Sequence, residues 1–383
     1  MKPSKRLENL GNYYFAVKRE EIRKLEAEGG EKFISLAIGN PDLSPPDEVI
    51  DELKRALNDP NAHAYQSYGG LPELKETIAD FYLKKFGTKL DPEKNILPLM
   101  GSKSGILYLH LAFLNPGDKV LIPEPGYMAY KGAAYLVGAI PQTFELDEYN
   151  HWQPDWNTVE SQLDEKTKIL WLNYVNMPTG VIATENDLKK AVAFVRQNRM
   201  ILAFDNPYSL ITTQPASVLK YAEDVPVVEF QSFSKNFNMA GWRIGWVAGH
   251  EDIISQIAKV QNNVESGMFY AIQKAAVKAL QLSDEWMNHL NEIYSKRRKK
   301  AKEFAKKFGG TCEENTGGMF CWVKLPEGMN AQDFTDELFY KHRIFISPGT
   351  IFGEKWNQYV RISLTVSEAQ YDEAIQRLQT WKK

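Results

Sequence analysis

The chain has 383 residues, long for one hydrophobic core, so two domains or one strongly elaborated domain are expected. Hydrophobic residues at 43% and charged residues at 25% are ordinary for a soluble globular protein, and a net charge of −3 leaves no electrostatic footprint for nucleic acid. No apolar run approaches the ~20 residues of a membrane helix, no apolar leader follows Met1, and Cys312 and Cys321 form no metal-type pair, so a cytoplasmic protein without a metal is expected.

Behind Pro72, the residues Leu74, Ile78 and Phe81 share one stripe and predict a helix over 71–86. Apolar runs then predict strands at 95–100, 119–123, 140–145, 168–175, 201–205, 227–233 and 243–248. Several are apolar at consecutive positions, as strands buried on both faces must be. Helical patterns lie between them: Gly101-Ser102-Lys103-Ser104 leads into a helix at 106–114, and Thr184 caps one with Leu188, Val192 and Val195 on one face. Beyond about residue 280 comes a long helix whose cluster Lys296-Arg297-Arg298-Lys299-Lys300 reads as a solvated face. A run at 317–323, a helix from Ala331, a strand at 359–364 and a helix bearing Tyr371, Ile375 and Leu378 close the chain. The expected fold class is α/β: a mostly parallel seven-stranded sheet between helices at 46–280, and a smaller α+β domain from 1–45 and 281–383.

Lys235 follows the apolar run 225–230, is flanked by Ser232 and Ser234, and precedes Arg243 by eight residues. A carbonyl-binding amine beside an anion site suggests pyridoxal 5′-phosphate (PLP), which also needs an acid at its pyridine nitrogen, donors at its phenolate oxygen and a flat surface against its ring. Asp205 ends an apolar strand and can serve as the acid; Tyr208 follows it and can reach the phenolate. Gly101, Ser102 and Lys103 open a helix, where free N–H groups and the positive end of the dipole suit a phosphate, with Arg243 and Ser232 beside them. No P-loop and no Gly-x-Gly-x-x-Gly fingerprint is present, which disfavours a nucleotide site. Alone, each of these residues has an ordinary structural explanation: a surface lysine, a turn aspartate, a core tyrosine.

The segment Ser232-Phe233-Ser234-Lys235-Asn236-Phe237-Asn238-Met239-Ala240-Gly241-Trp242-Arg243 resembles the lysine segment of the class I/II aminotransferases, PLP enzymes of fold type I. Further motifs follow that family's order over nearly the whole chain. They are Ile38-Gly39-Asn40-Pro41-Asp42, Tyr65 with Tyr68-Gly69-Gly70-Leu71-Pro72, Pro123-Glu124-Pro125-Gly126-Tyr127, Asn173 through Met177-Pro178-Thr179-Gly180, Asp205-Asn206-Pro207-Tyr208, Pro348-Gly349 with Phe352-Gly353, and Tyr359-Val360-Arg361-Ile362-Ser363-Leu364.

The resemblance implies Lys235 as the Schiff-base lysine and proton shuttle, Asp205 as pyridinium partner, and Tyr208 as phenolate donor, with Asn173 keeping its place upstream. It implies Tyr127 stacked on the ring and Arg243, Ser232, Gly101, Ser102 and Lys103 at the phosphate. Tyr65 would reach the phosphate of a neighbouring subunit, implying a homodimer with shared sites. Arg361, beside Gly39, would grip the substrate α-carboxylate with two parallel hydrogen bonds. One position departs from the pattern: Met177 stands where the family places an asparagine that bonds the phenolate oxygen. The activity implied is transfer of an amino group from an L-amino acid to a 2-oxo acid. Its rivals are a C–S β-lyase of cystathionine-like substrates on the same scaffold and a non-catalytic ligand-sensing module. Residues 251–275, which the resemblance implies feed the partner's pocket, contain no arginine, which weighs mildly against a strict dicarboxylate enzyme that reads the side chain with a second arginine; Tyr13, Tyr14, Phe15 and Phe352 are expected in the core or lining an apolar pocket.

Overall fold

Seven apolar strands separated by capped helices build the central sheet, and in the computed structural model, which describes residues 2–314 and 316–379, they fall where the apolar runs do. The strands are β1 (Ile96–Leu99), β2 (Lys119–Glu124), β3 (Ile140–Glu145), β4 (Thr167–Asn173), β5 (Ile201–Asp205), β6 (Val227–Ser232) and β7 (Gly245–Gly249). Their order across the sheet is β1-β7-β6-β5-β4-β2-β3. The run from β6 to β3 is parallel, and β7 lies antiparallel to both β6 and β1. Every residue of β6 is buried, so its register is fixed from both faces. The strand expected at 243–248 begins two residues late because Arg243 adopts φ +56°, a left-handed backbone that cannot join an extended ladder.

Helices cover both faces. Pro72 starts the helix Pro72–Phe86 and Thr184 caps Glu185–Asn198, both as expected, and Asp187 closes the cap by accepting from the Thr184 N–H at 2.9 Å. A second sheet of four strands carries Phe320–Lys324 paired to Tyr359–Ser363, and Ile34–Ser35 pairs with Ile344–Phe345 to tie the start of the chain to its end. The helix α1 (Tyr14–Ala27) lies beside that pair, where Tyr14 packs against Phe345 at 6.2 Å between ring centroids.

The basic cluster on the long helix Asp284–Lys307 is not a uniform solvated face. Arg297 is buried and makes two bonds to Asp42, at 2.7 and 2.8 Å, and a third to the Leu364 carbonyl at 3.1 Å. Arg298 donates to the carbonyls of Gly318 and Phe320 at 2.9 and 3.2 Å. Charge spacing alone cannot show that a helix face turns inward; here the loop holding Asp42 covers it. Arg297→Ala is expected to lower stability by about 3 kcal/mol, because Asp42 loses its partner while remaining partly buried. A thermal denaturation midpoint within a degree of the parent protein would contradict this tie.

Candidate active site

The carboxyl ends of β2, β4, β5 and β6 and the turn after β1 converge on one cavity of 390 Å³, within the ordinary range of small-molecule sites. This placement follows from the parallel sheet, where adjacent strand ends leave a crevice. Asp205 ends β5, Ser232 ends β6, and the short helix Phe233–Asn236 that follows carries Lys235. Lys235, Asp205, Tyr208, Ser232, Ser102, Lys103, Tyr127, Asn173, Arg243, Gly39 and Arg361 all line the cavity. Gly101 stands just behind it at φ +88°, and a Cβ there would lie 2.4 Å from Nη2 of Arg243, so glycine is required for the guanidinium to seat. Tyr65 is not among the lining residues and is 92% exposed.

Two buried groups of opposite charge lack matching partners. Asp205 Oδ2 accepts a hydrogen bond from the Tyr130 hydroxyl at 2.7 Å, whereas Oδ1 is buried without a partner. Burial pushes this carboxyl up to about 6, and the bond from Tyr130 opposes that. Arg361 donates from Nη2 to the Ala37 carbonyl at 2.6 Å and from Nη1 to the Met177 sulfur at 3.1 Å, while its Nε has no partner. No carboxylate pairs with it among the described residues; the rings of Phe320 and Phe352 lie 4.0 and 4.7 Å from its guanidinium carbon. A buried cation held only by a carbonyl, a thioether and ring faces is short of an anion.

Lys235 lines the same cavity and donates from Nζ to the carbonyl of Gly39. Desolvation, then the charges of Arg361 and Arg243, draw its amine down to about 8. Gly39 itself has no room for a side chain, since a Cβ would lie 2.3 Å from the Phe320 ring.

The remaining positions differ in what they have free. Ser232 Oγ accepts from the Ser234 amide at 3.1 Å and keeps its own proton to donate. The helix Ser102–Phe113 has no side-chain cap at its start, which leaves N–H groups for an anion. The hydroxyl of Tyr208 has no hydrogen-bond partner among the described residues. Asn173 is engaged internally: its amide donates to the Asp205 carbonyl at 2.7 Å, and its oxygen accepts from the Met177 amide at 2.7 Å. Among aromatic positions, Tyr13, Phe15 and Phe352 line the cavity, and Tyr14 faces away.

Two cavity neighbours were not expected from sequence. Tyr130 lies three residues after Tyr127 on the helix Met128–Val137, and that spacing was the only signal. Arg19 follows Phe15 by four residues on α1 and so shares its face, lining the cavity with no ion pair or hydrogen bond among the described residues. Besides Arg243 and Arg361, a third arginine therefore reaches the site from α1, which removes the argument drawn from the absence of arginine in 251–275.

These residues fit PLP. The unpartnered Asp205 Oδ1 suits a protonated ring nitrogen, the Gly101–Arg243 cradle and uncapped helix suit a phosphate, and Lys235 supplies the amine.

Residues 31–378 match the family model described as aminotransferase class I and II. An LL-diaminopimelate aminotransferase of Halothermothrix orenii is 38% identical over 382 residues, with 99% of this chain and 98% of that protein covered. Another, from Aquifex aeolicus, is 38% identical with 99% of each chain covered. Among solved structures, apo-BacF from Bacillus subtilis matches with a TM-score of 0.94 at 33% identity, covering 99% of this chain and 98% of that one.

Proposed function

Since this chain belongs to the class I and II aminotransferases and is a PLP-dependent enzyme, we propose that it acts on a long L-amino acid bearing a second carboxylate, of the LL-diaminopimelate class. The observation that carries the transaminase site is the pair of unmatched buried charges, Asp205 Oδ1 and Arg361, facing the one cavity that Lys235 also lines. Bound PLP supplies a carbonyl for amine exchange and a ring that accepts the electron pair left when the Cα proton departs.

The chain's own residues do the rest. Asp205 would hold the ring nitrogen protonated, Tyr127 would lie against the ring face, and Tyr208 would donate to the phenolate oxygen, with Met177 offering no donor beside it. Arg243, the Ser232 hydroxyl and the N–H groups after Gly101 hold the phosphate. Arg361 orients the substrate α-carboxylate so that Cα–H points toward Lys235. Lys235 Nζ, neutral in part near pH 8, takes that proton as base and returns it as acid. Division of the chain into 46–280 and flanking segments 1–45 and 281–383 suits this reading, since Arg361 and Gly39 then face the cofactor residues across the cleft.

The second carboxylate is read by Arg19 and Lys103. Among the described residues Arg19 has no hydrogen-bond or ion-pair partner and the Lys103 ammonium has no carboxylate, resting 5.1 Å from the Tyr13 ring centroid. Arg19→Met is expected to raise KM for LL-diaminopimelate about tenfold to a hundredfold, the loss of a charge-assisted hydrogen bond, with an amino acid of apolar side chain unaffected. Following cofactor absorbance as the PLP-loaded protein meets each amino acid in turn tests the substrate class. Faster turnover of apolar than of dicarboxylic amino acids would overturn it.

A second copy of the chain completes the site in this proposal. Tyr65, Tyr68, Val264 and Phe269 are exposed, and Gly267 packs against the backbone of Gln66 and Ser67, so they form one patch. Such a patch suits an interface from which Tyr65 reaches the neighbour's phosphate site. Sedimentation showing a monomer at micromolar concentration would exclude it.

A further inference from the structure

Glu229 is a carboxylate in the middle of β6 that the chemistry above does not use, and it is 0% exposed. It accepts four hydrogen bonds: from the Tyr82 hydroxyl at 2.9 Å, the Gln231 amide at 2.8 Å, the Ser217 hydroxyl at 2.8 Å and the Val218 N–H at 3.0 Å. All four partners donate, and no cation pairs with it among the described residues. A buried carboxylate without a counter-ion is costly, and a well-packed apolar residue would avoid that desolvation. Its presence calls for a role other than stability.

The role is legible in the direction of the bonds that leave it. Gln231 shares its face of β6 two residues on. Because its Nε2 donates to Glu229, its Oε1 is left to accept, which it does from the Ser209 hydroxyl at 2.9 Å. Ser209 Oγ, having given its proton to Gln231, accepts from Asn236 Nδ2 at 3.1 Å. Asn236 Oδ1 then accepts from the Leu210 N–H at 3.2 Å. Gln231, Ser209 and Asn236 are 0%, 2% and 1% exposed, so water cannot replace a lost partner.

Each amide in this chain could be turned either way if taken alone; an acceptor with no proton to give at one end, Glu229, and a backbone N–H that can only donate at the other, Leu210, fix one direction for all of them. At the far end, the chain joins the residue after Lys235 to the two residues after Tyr208. We propose that Glu229 is a positioning residue: through Gln231, Ser209 and Asn236 it clamps the Tyr208 loop to the turn bearing Lys235, setting the amine and the phenol at their working separation. Were Asn236 reversed, its NH2 would face the Leu210 N–H, and two donors would push the loop from the turn.

This inference rests on the roles given above to Lys235 and Tyr208. Three variants test it. Ser209→Ala breaks the chain at its middle, and Glu229→Gln removes the acceptor that fixes its direction. Tyr82→Phe deletes a donor to Glu229 lying outside the chain, leaving three others. The readouts are kcat and KM, the rate and affinity with which PLP binds the cofactor-free protein, the pH midpoint of the bound cofactor's visible absorption, and the thermal midpoint. Ser209→Ala and Glu229→Gln are expected to lower kcat about tenfold with KM little changed, to slow PLP capture and to move the absorption midpoint. Tyr82→Phe is expected to lower the thermal midpoint alone. The proposal is overturned if Ser209→Ala leaves kcat, PLP capture and the absorption midpoint unmoved, or if all three variants change them only in proportion to lost stability. Should Glu229→Gln fail to fold, Ser209→Ala against Tyr82→Phe decides. Lys235→Ala, run alongside, separates a wrong assignment of the lysine from a wrong assignment of the clamp.

Discussion

Lys235→Ala is expected to cost about two to four orders of magnitude in kcat, the range by which a positioned acid–base group accelerates proton transfer. Alanine removes an amine that shares the cavity with Asp205 and Arg361, and the other lysine lining it, Lys103, stands over Tyr13 instead. The fold should survive, because Lys235 sits in a four-residue helix whose packing is supplied by Phe233 and whose cap is Ser232. A companion result concerns pH. The amine is held near 8 by desolvation and by Arg361 and Arg243, all of which disfavour its charged form. More of it is therefore neutral as pH rises, and the rate at which the cofactor-free protein captures an aldehyde should climb with pH to half its maximum at about 8. A midpoint at the ordinary lysine value would mean the amine is not desolvated. A kcat within tenfold of the parent protein in Lys235→Ala would remove the residue from the proton transfer.

How much of this could be read from the sequence varies with what kind of interaction sets each residue in place. β5 and β6 are legible because strands buried on both faces must be apolar, and Asp205 and Ser232 are legible because polar residues at the ends of such runs face the crevice. Arg297 was not: helical spacing shows which residues share a face but not whether a loop, here the one holding Asp42, covers it. Arg19 escaped for a similar reason, since α1 meets the cavity only through tertiary packing of Phe15 and Tyr13. Glu229 breaks an apolar strand, and its meaning depends on Tyr82, Ser217 and Ser209, which lie far from it in sequence or on another element. Asn173 shows the converse. Its position on β4 was foreseeable, whereas its side chain is engaged with the Asp205 carbonyl and the Met177 amide, so it secures the strand end instead of offering a free donor.

Arg361→Lys keeps the charge and is expected to lower kcat/KM about a hundredfold to a thousandfold, as truncating one partner of a buried, hydrogen-bonded charge pair does. The guanidinium does three things at once: Nη2 anchors to the Ala37 carbonyl, its carbon lies over the rings of Phe320 and Phe352, and the edge bearing the unpartnered Nε remains for a substrate. An ammonium is a point charge on a flexible stem; it cannot stack, and it cannot present two parallel donors while bonded to Ala37. Much of the loss should appear in KM, because the α-carboxylate is gripped before the proton moves, and part in kcat, because a carboxylate held at one point lets Cα–H swing away from Lys235. Affinity for PLP should be unchanged, since no hydrogen bond or ion pair joins Arg361 to Asp205, Ser232 or Arg243 among the described residues. A fall of less than tenfold in kcat/KM would mean the carboxylate is held elsewhere, and a matching fall in PLP affinity would place Arg361 in the cofactor site.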